Sequence, residues 1–374
     1  MRIAVTTIFL QKNSLEGYGH YTQEVLRRMV QQHPEHEFLF VFDRQYDERF
    51  IYGPNVKAVI VSPPARQPLG FKYWYDVAVP RALRSFAPDV WLQPYGFCSL
   101  SARIPQVLMV HDLAFIHFPK FIPWYHRLYY KLFTKKFLQK AKAVITVSHF
   151  CKGDIILQYG ILPEKITVAP GASREGFRYL SWFEREDVKE AFADGKEYFL
   201  FMGGMNPRKN LMTALKAFSL FKKWQQSNMK LLVAGKLHGD AEGVLSKLDT
   251  YRYRDDVVLL DYQPEDELER IVSAAYALLY PSFFEGFGLP ILEAMQCEVP
   301  VITGNSSAMP ETGGDAALYT DASDHDALAK HMINVYRNEA LRAELILKGK
   351  AQASKFNWGT TTEILWEKIV SSAK

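Results

Sequence analysis

The sequence predicts an α/β protein made of two doubly wound, Rossmann-like domains that face a cleft. Three observations predict it. The chain has 374 residues, too many for one ordinary core and enough for two domains of about 150–200 residues each. Short β-branched or aromatic runs alternate with longer helical patterns along most of it. The alternation pauses once, over the polar, irregular stretch 171–196, and then resumes.

In the first series, strands are expected at 2–7, 37–42 (E-F-L-F-V-F), 57–61, 89–93, 105–110, 142–147 and 165–169. Their near-continuous apolar character marks strands covered on both faces, as in a parallel sheet. In the second series, strands are expected near 197–202, 230–234, 256–260, 276–281 and 299–303, and helices near 210–226, 264–275, 290–297 and 324–338. This gives a first domain over 1–175, a linker over 176–195 and a second domain over 196–357. Ligands of such sheets sit at the carboxyl ends of the strands.

Composition excludes several classes. Aromatic residues make up 14% of the chain and no polar tract is of low complexity, which argues against bulk disorder. No stretch reaches the ~18 apolar residues of a membrane-spanning helix. The start, M-R-I-A-V-T-T-I-F-L, lacks a signal-peptide cleavage pattern and reads as a first strand, so a cytoplasmic location is expected. Cys98, Cys151 and Cys297 are odd in number and far apart, which suits three buried thiols in a reducing compartment. The net charge of +4 hides a split. Residues 1–180 hold 23 Lys and Arg against 13 Asp and Glu, a balance of +10, and the remainder holds 22 against 28, a balance of −6. Such asymmetry points to an anionic partner on one side.

Four motifs follow expected strands. At 281–297 stands P-S-F-F-E-G-F-G-L-P-I-L-E-A-M-Q-C. Gly286 and Gly288 let backbone approach a ligand, Pro290 suits a first helical turn, and the free amides of a helix start bind anions such as phosphate. Glu285 and Glu293 can accept hydrogen bonds from sugar or ribose hydroxyls; on spacing alone, a capped helix with two surface acids fits as well. At 202–211 stands M-G-G-M-N-P-R-K-N-L. Arg208 and Lys209 there can neutralise a diphosphate leaving group, with Gly203 and Gly204 allowing close passage; a solvated basic turn is the alternative. Gly17-x-Gly19 precedes a helix but lacks the rest of a dinucleotide fingerprint, which disfavours a dehydrogenase. His111, in V-H-D-L-A-F, sits at a strand end, with Asp112 placed to orient its loop.

The spacing Glu285-x7-Glu293 with G-F-G-L-P between resembles the signature of the retaining glycosyltransferases of family 4, which have two Rossmann-like domains, the GT-B fold. The likeness extends over nearly the whole chain. It implies that Glu285 contacts the transferred sugar and Glu293 the nucleotide ribose. It implies that Arg208 and Lys209 grip the diphosphate, together with amides near Gly19, Gly288 and Leu289, and that His111 lies near the sugar and the acceptor hydroxyl. The whole implied set is His111 and Glu285 as catalytic residues, with Gly19, Gly204, Arg208, Lys209, Glu285, Gly286, Phe287, Gly288, Leu289 and Glu293 binding the donor. V-S-H-F-C-K-G-D at 147–154, Pro310-Glu311 and F-N-W-G-T-T-T at 356–362 resemble further family stretches. The last implies a final helix, 358–374, crossing back onto the first domain.

The activity so implied is transfer of a hexose from a nucleotide diphosphate sugar to a glycan or lipid-linked glycan, in polysaccharide or lipopolysaccharide synthesis. Front-face attack guided by the leaving phosphate would need no carboxylate nucleophile and no cofactor. P-R-K-N-L is similar to stretches of mannosyltransferases, which favours GDP-mannose over UDP-linked sugars. A sugar-nucleotide epimerase, a phosphorylase and a non-catalytic nucleotide-sugar-binding protein stay open as alternatives. The one D-x-D, Asp324-His325-Asp326, opens a helical pattern and reads as an N-cap, so no metal is expected.

From Leu113 to Gly153 there is no acidic residue, and the stretch holds eight Lys/Arg and ten aromatics. Such a face suits the anionic inner surface of a membrane or a lipid-phosphate acceptor. The alternative is an inward stripe of Tyr125, Tyr129 and Phe133 with the lysines as its solvated back. No nucleic-acid-binding module is recognisable.

Overall fold

The computed structural model describes residues 1–11, 15, 17–204, 206–235, 248 and 250–373. Glu16 and Met205, which lie within the glycine and P-R-K-N-L motifs, fall outside the described residues. The chain forms two compact units, Met1–Gly171 with Asn357–Lys374, and Ala172–Phe356.

The first unit is built on strands β1 (Arg2–Thr6), β2 (Glu37–Phe42), β3 (Val56–Ile60), β4 (Val90–Gln93), β5 (Gln106–Met109), β6 (Ala143–Thr146) and β7 (Ile166–Val168). They lie in the order β3-β2-β1-β4-β5-β6-β7, with every pairing parallel. The second unit repeats the plan with β8 (Tyr198–Met202), β9 (Lys230–Ala234), β10 (Val257–Leu260), β11 (Ala277–Tyr280), β12 (Val301–Gly304) and β13 (Ala317–Thr320), in the order β10-β9-β8-β11-β12-β13, again all parallel. Both orders are of the Rossmann type, and in each the direction of winding reverses beside the first strand. The inner strands are buried almost throughout because helices cover both faces, whereas the edge strands β3, β7, β10 and β13 are partly exposed. Phe199, Phe201, Phe218, Phe221, Leu231 and Leu279 pack in one core of the second unit, each contributing roughly 1.5–3 kcal/mol by leaving water.

The structure differs from the sequence expectation in several places. The stretch 176–195, expected as a linker, belongs to the second unit. It contains the helix Trp182–Ala193, started by a capping box in which Ser181 accepts from Glu184 N and Glu184 accepts from Ser181 N. Strand β13 and the helix Glu339–Ala353 were not expected at all. As for the final helix, Trp358–Ser372 is capped by Asn357 and packs within the first unit, where Trp366 stacks on His33 at 3.6 Å between ring centroids.

The inward stripe of the basic helix Trp124–Lys140 runs one turn later than Tyr125, Tyr129 and Phe133. Tyr129 and Phe137 are buried with Phe133 half-buried between them, and they meet Phe97 and Phe71. Tyr125 is exposed, because it lies in the first turn of the helix, N-terminal to that cluster. The opposite face carries a second stripe at spacing four: Trp124, Leu128 and Leu132 are 69%, 49% and 51% exposed. Arg127, Lys131, Lys135 and Lys136 are exposed beside them.

Candidate active site

In the second unit, winding reverses between β8 and β11, and the loops leaving those two strands carry the P-R-K-N-L and Glu285 motifs. Local chemistry fixes both loops. Asn206 Oδ1 accepts from Arg208 N at 2.8 Å and caps the turn Pro207–Lys209. Asn210 then adopts a left-handed conformation, φ +63°, which asparagine tolerates better than most residues. Its buried Nδ2 donates to Pro281 O at 3.0 Å and to Ala322 O, joining the loop to its neighbours. Phe283 N donates to Arg208 O at 2.9 Å. Glu285 N donates to Ser307 Oγ at 2.9 Å.

Glycine is required at Gly288 and Gly235 in particular. Gly288 has φ +103° immediately before the helix Leu289–Gln296, and a Cβ there would stand 3.1 Å from Ile291 Cδ1. Gly235, at the end of β9, has φ +149°, and a Cβ there would lie 2.2 Å from Gly203 O.

These loops bring Arg208, Lys209 and Glu285 together. Lys209 Nζ donates to Glu285 Oε1 at 2.8 Å and to Tyr280 Oη at 2.7 Å. Arg208 Nη1 reaches Glu285 Oε2 at 3.4 Å and also donates to Phe284 O. Glu285 is only 6% exposed. Burial pushes its carboxyl pKa up, but Lys209 and then Arg208 outweigh burial, and the net direction is down. Burial, and next the charge of Glu285, hold the Tyr280 hydroxyl well above its ordinary range, so it stays protonated. A carboxylate and two cations thus converge at strand carboxyl ends, the groups needed to meet sugar hydroxyls and a diphosphate.

Glu293 sits one turn inside Leu289–Gln296 and does not join this cluster. Its partner is Arg174, whose Nε donates to Glu293 Oε1 at 2.7 Å. Gly286, Phe287 and Gly288 are buried; Phe287 O accepts from Thr312 Oγ1 at 2.6 Å, and Leu289 opens the helix. Gly204 O accepts from Asn206 N at 2.7 Å.

Two predicted residues lie in the first unit. Gly19 is in the first turn of the helix Gly17–Gln32, where amides have no partner within the helix. His111 follows β5. Its Nε2 is 3.0 Å from Pro94 O, and since a carbonyl only accepts, Nε2 carries the proton and Nδ1 is left as an acceptor. Burial lowers the His111 pKa against the weaker upward pull of the Pro94 carbonyl and Asp112, so the ring is neutral near pH 7. Tyr21 packs edge-on against it at 5.4 Å. Asp112 Oδ1 accepts from Ala114 N at 2.9 Å and orients the loop, as expected.

Asp324 Oδ1 accepts from Ala327 N at 2.8 Å and caps the helix His325–Arg337. Among the described residues, His33, Glu35 and His36 bring three metal-ligating atoms within 4.8 Å of one another. The N-terminal ammonium occupies His36 Nδ1 at 3.0 Å, which leaves the proton of the neutral ring on Nε2, facing Glu35 at 3.3 Å. These contacts tie the three residues into a hydrogen-bonded turn.

Sequence reasoning missed Arg174 and Tyr280. Arg174 is far from its carboxylate partner in sequence, and Tyr280 reads as one more apolar residue of β11.

Residues 15–172 match the model described as Glycosyltransferase Family 4, and residues 183–352 match Glycosyl transferases group 1. The chain belongs to the family 4 glycosyltransferases. The transferase is 29% identical over 365 residues to the O-antigen chain mannosyltransferase B of Escherichia coli, covering 94% of this chain and 95% of that one. It is 29% identical over 242 residues to an O-antigen chain mannosyltransferase of Salmonella typhimurium, covering 64% of each. Among solved structures, it resembles WaaG, a glycosyltransferase involved in lipopolysaccharide biosynthesis, with a TM-score of 0.78 at 14% identity over 98% of this chain and 99% of that one. It resembles Anabaena HepE, solved with UDP and glucose, with a TM-score of 0.78 at 16% identity over 99% of this chain and all of that one. The transferase therefore has the GT-B fold.

Proposed function

We propose that the transferase moves mannose from GDP-mannose to a lipid-linked glycan, with retention of configuration, in the synthesis of a cell-surface polysaccharide. The observation that carries this reading is the convergence of Arg208, Lys209 and Glu285 at the ends of β8 and β11. Mannose is favoured by the O-antigen mannosyltransferase that matches the chain nearly end to end.

In the proposed step, the bond from the anomeric carbon to the diphosphate oxygen breaks. The acceptor oxygen bonds to that carbon on the same face, and its proton passes to the departing phosphate oxygen. Lys209 and Arg208 take up the charge growing on the diphosphate. Glu285 orients the sugar through its hydroxyls, Glu293 receives the ribose, and the amides near Gly288 and Leu289 meet the phosphates. We assign His111 Nδ1 to a substrate hydroxyl. Because two side-chain cations face the leaving group, no divalent ion and no cofactor is required. In a panel of GDP- and UDP-linked hexoses with excess chelator, GDP-mannose is expected to give the highest kcat/KM. Preference for a UDP-sugar would overturn the donor assignment, and activity restored only by Mg²⁺ or Mn²⁺ would overturn metal independence.

We assign the exposed stripe Trp124, Leu128 and Leu132 with its lysines to an anionic membrane surface on the cytoplasmic side. Aromatic and leucine side chains insert at the headgroup boundary while basic residues meet anionic lipid. Among the described residues, no helix is long and apolar enough to cross a membrane. The chain is expected to float with phosphatidylglycerol vesicles at low salt, and the triple variant Trp124→Ser, Leu128→Ser, Leu132→Ser to stay in the dense fraction. Wild-type chain remaining in the dense fraction would remove the assignment.

A further inference from the structure

We propose that Arg174 is a positioning residue, holding Glu293 in the orientation that receives the ribose of the donor nucleotide. The proposal rests on the donor-binding reading above and adds to it a residue outside both motifs.

Glu293 is 2% exposed on the helix L-P-I-L-E-A-M-Q, whose other buried residues are all apolar. A carboxylate so buried needs a charged partner. Arg174 supplies it from the segment that begins the second unit, with Nε 2.7 Å from Glu293 Oε1.

The guanidinium is itself fixed from two other sides. Its Nη1 donates to Glu265 Oε1 at 2.9 Å, and its plane lies over the Phe177 ring, 4.6 Å from the centroid. A planar fork held at three points has little freedom left, so it sets the direction of Glu293 and does not merely follow it. Only one oxygen of Glu293 is used. Oε2 has no donor among the described residues. A carboxylate clamped through one oxygen and open at the other is an oriented acceptor for a hydroxyl, and the ribose diol is the part of a nucleotide sugar that offers one.

A purely structural ion pair would tie the segment around Arg174 to the helices Glu265–Ser273 and Leu289–Gln296. Its loss would weaken the unit but would not sense which hydroxyls a ligand carries. The two roles separate by calorimetric titration of the full chain with GDP and UDP, each beside its 2′,3′-dideoxy form. Wild type is expected to bind the ribo form of one of these at least about tenfold more tightly than its dideoxy form. Arg174→Ala should lose about that factor for the ribo form and leave the dideoxy affinity unchanged. Glu293→Gln should behave alike, and the double variant should lose no more than either single one. In turnover, Arg174→Ala should raise the KM for the sugar nucleotide with kcat nearly constant, the mark of lost uniform binding. Arg174→Lys, which keeps the charge without the fork, should fall between and carries the test if the alanine variant does not fold.

Retained ribo preference in the Arg174 variants, or equal loss for both forms, would overturn the positioning role while leaving donor binding intact. Failure of wild type to bind either diphosphate would overturn the donor reading and this proposal with it.

Discussion

Replacing Glu285 by Ala is expected to lower turnover by about 10²-fold or more, with a smaller effect on binding of the nucleotide alone. A charged group held for the transition state contributes about 3 kcal/mol when its geometry is preset, which is a factor of that size. Glu285 is preset by Lys209 at 2.8 Å, by Arg208 at 3.4 Å and by the Ser307 hydroxyl on its backbone amide. The pH profile carries the same information. Burial raises the carboxyl pKa, the two cations more than reverse this, and the folded-state value is lowered. A group of this kind stabilises the fold above its unfolded pKa, and the contribution disappears as pH falls through the folded pKa. Activity dependent on ionised Glu285 should therefore persist to a pH below the ordinary carboxylate range, provided the fold survives. Turnover by Glu285→Ala within a few-fold of wild type would contradict the assignment.

Replacing Lys209 by Met is expected to be nearly as damaging, for two reasons. The leaving diphosphate loses its ammonium partner, which again lowers turnover by about 10²-fold. The buried Glu285 also loses its nearer cation, and removing one partner of a buried pair costs about 3–5 kcal/mol. Two readouts separate these effects. The melting temperature should drop by several degrees, and the acid limb of the pH profile should move upward because only Arg208 remains to hold the Glu285 carboxyl down. In this variant the activity should fall at a pH where wild type is still fully active. A Lys209→Met profile superimposable on that of wild type would show that the pair at 2.8 Å does not govern Glu285.

Much of this protein is legible in its sequence because parallel strands covered on both faces leave a local mark. Runs such as E-F-L-F-V-F and K-L-L-V-A are apolar at every buried position except Lys230, and they fall where β2 and β9 stand. Strand β13, A-L-Y-T, pairs with one neighbour only and is half-buried in part, so its mark is faint. The helix Glu339–Ala353 buries little beyond Leu345, Gly349, Gln352 and Ala353, and its apolar periodicity is correspondingly weak.

Within the candidate site, Arg208, Lys209 and Glu285 stand out in the sequence because each lies in a loop directly after a strand, where chemistry collects in such folds, and because their motifs resemble those of a known family. Arg174 was not, because its meaning is a contact with Glu293 across 119 positions of sequence. The same limit applied to the basic helix. Its sequence offers the stripe Tyr125, Tyr129 and Phe133, and only packing against Phe71 and Phe97 shows that Tyr129, Phe133 and Phe137 turn inward while Trp124, Leu128 and Leu132 are left outside.

The central claim is that the second unit holds a sugar nucleotide whose glycosyl group this chain transfers. The most direct measurement incubates the purified chain with GDP-mannose and a lipid-linked glycan, in excess chelator, and follows released nucleotide and product by NMR. The account predicts one GDP released for each mannose transferred, and an anomeric signal of the same α configuration as the donor. Product of the opposite configuration, or nucleotide release with only free mannose formed and no glycan extended, would contradict it.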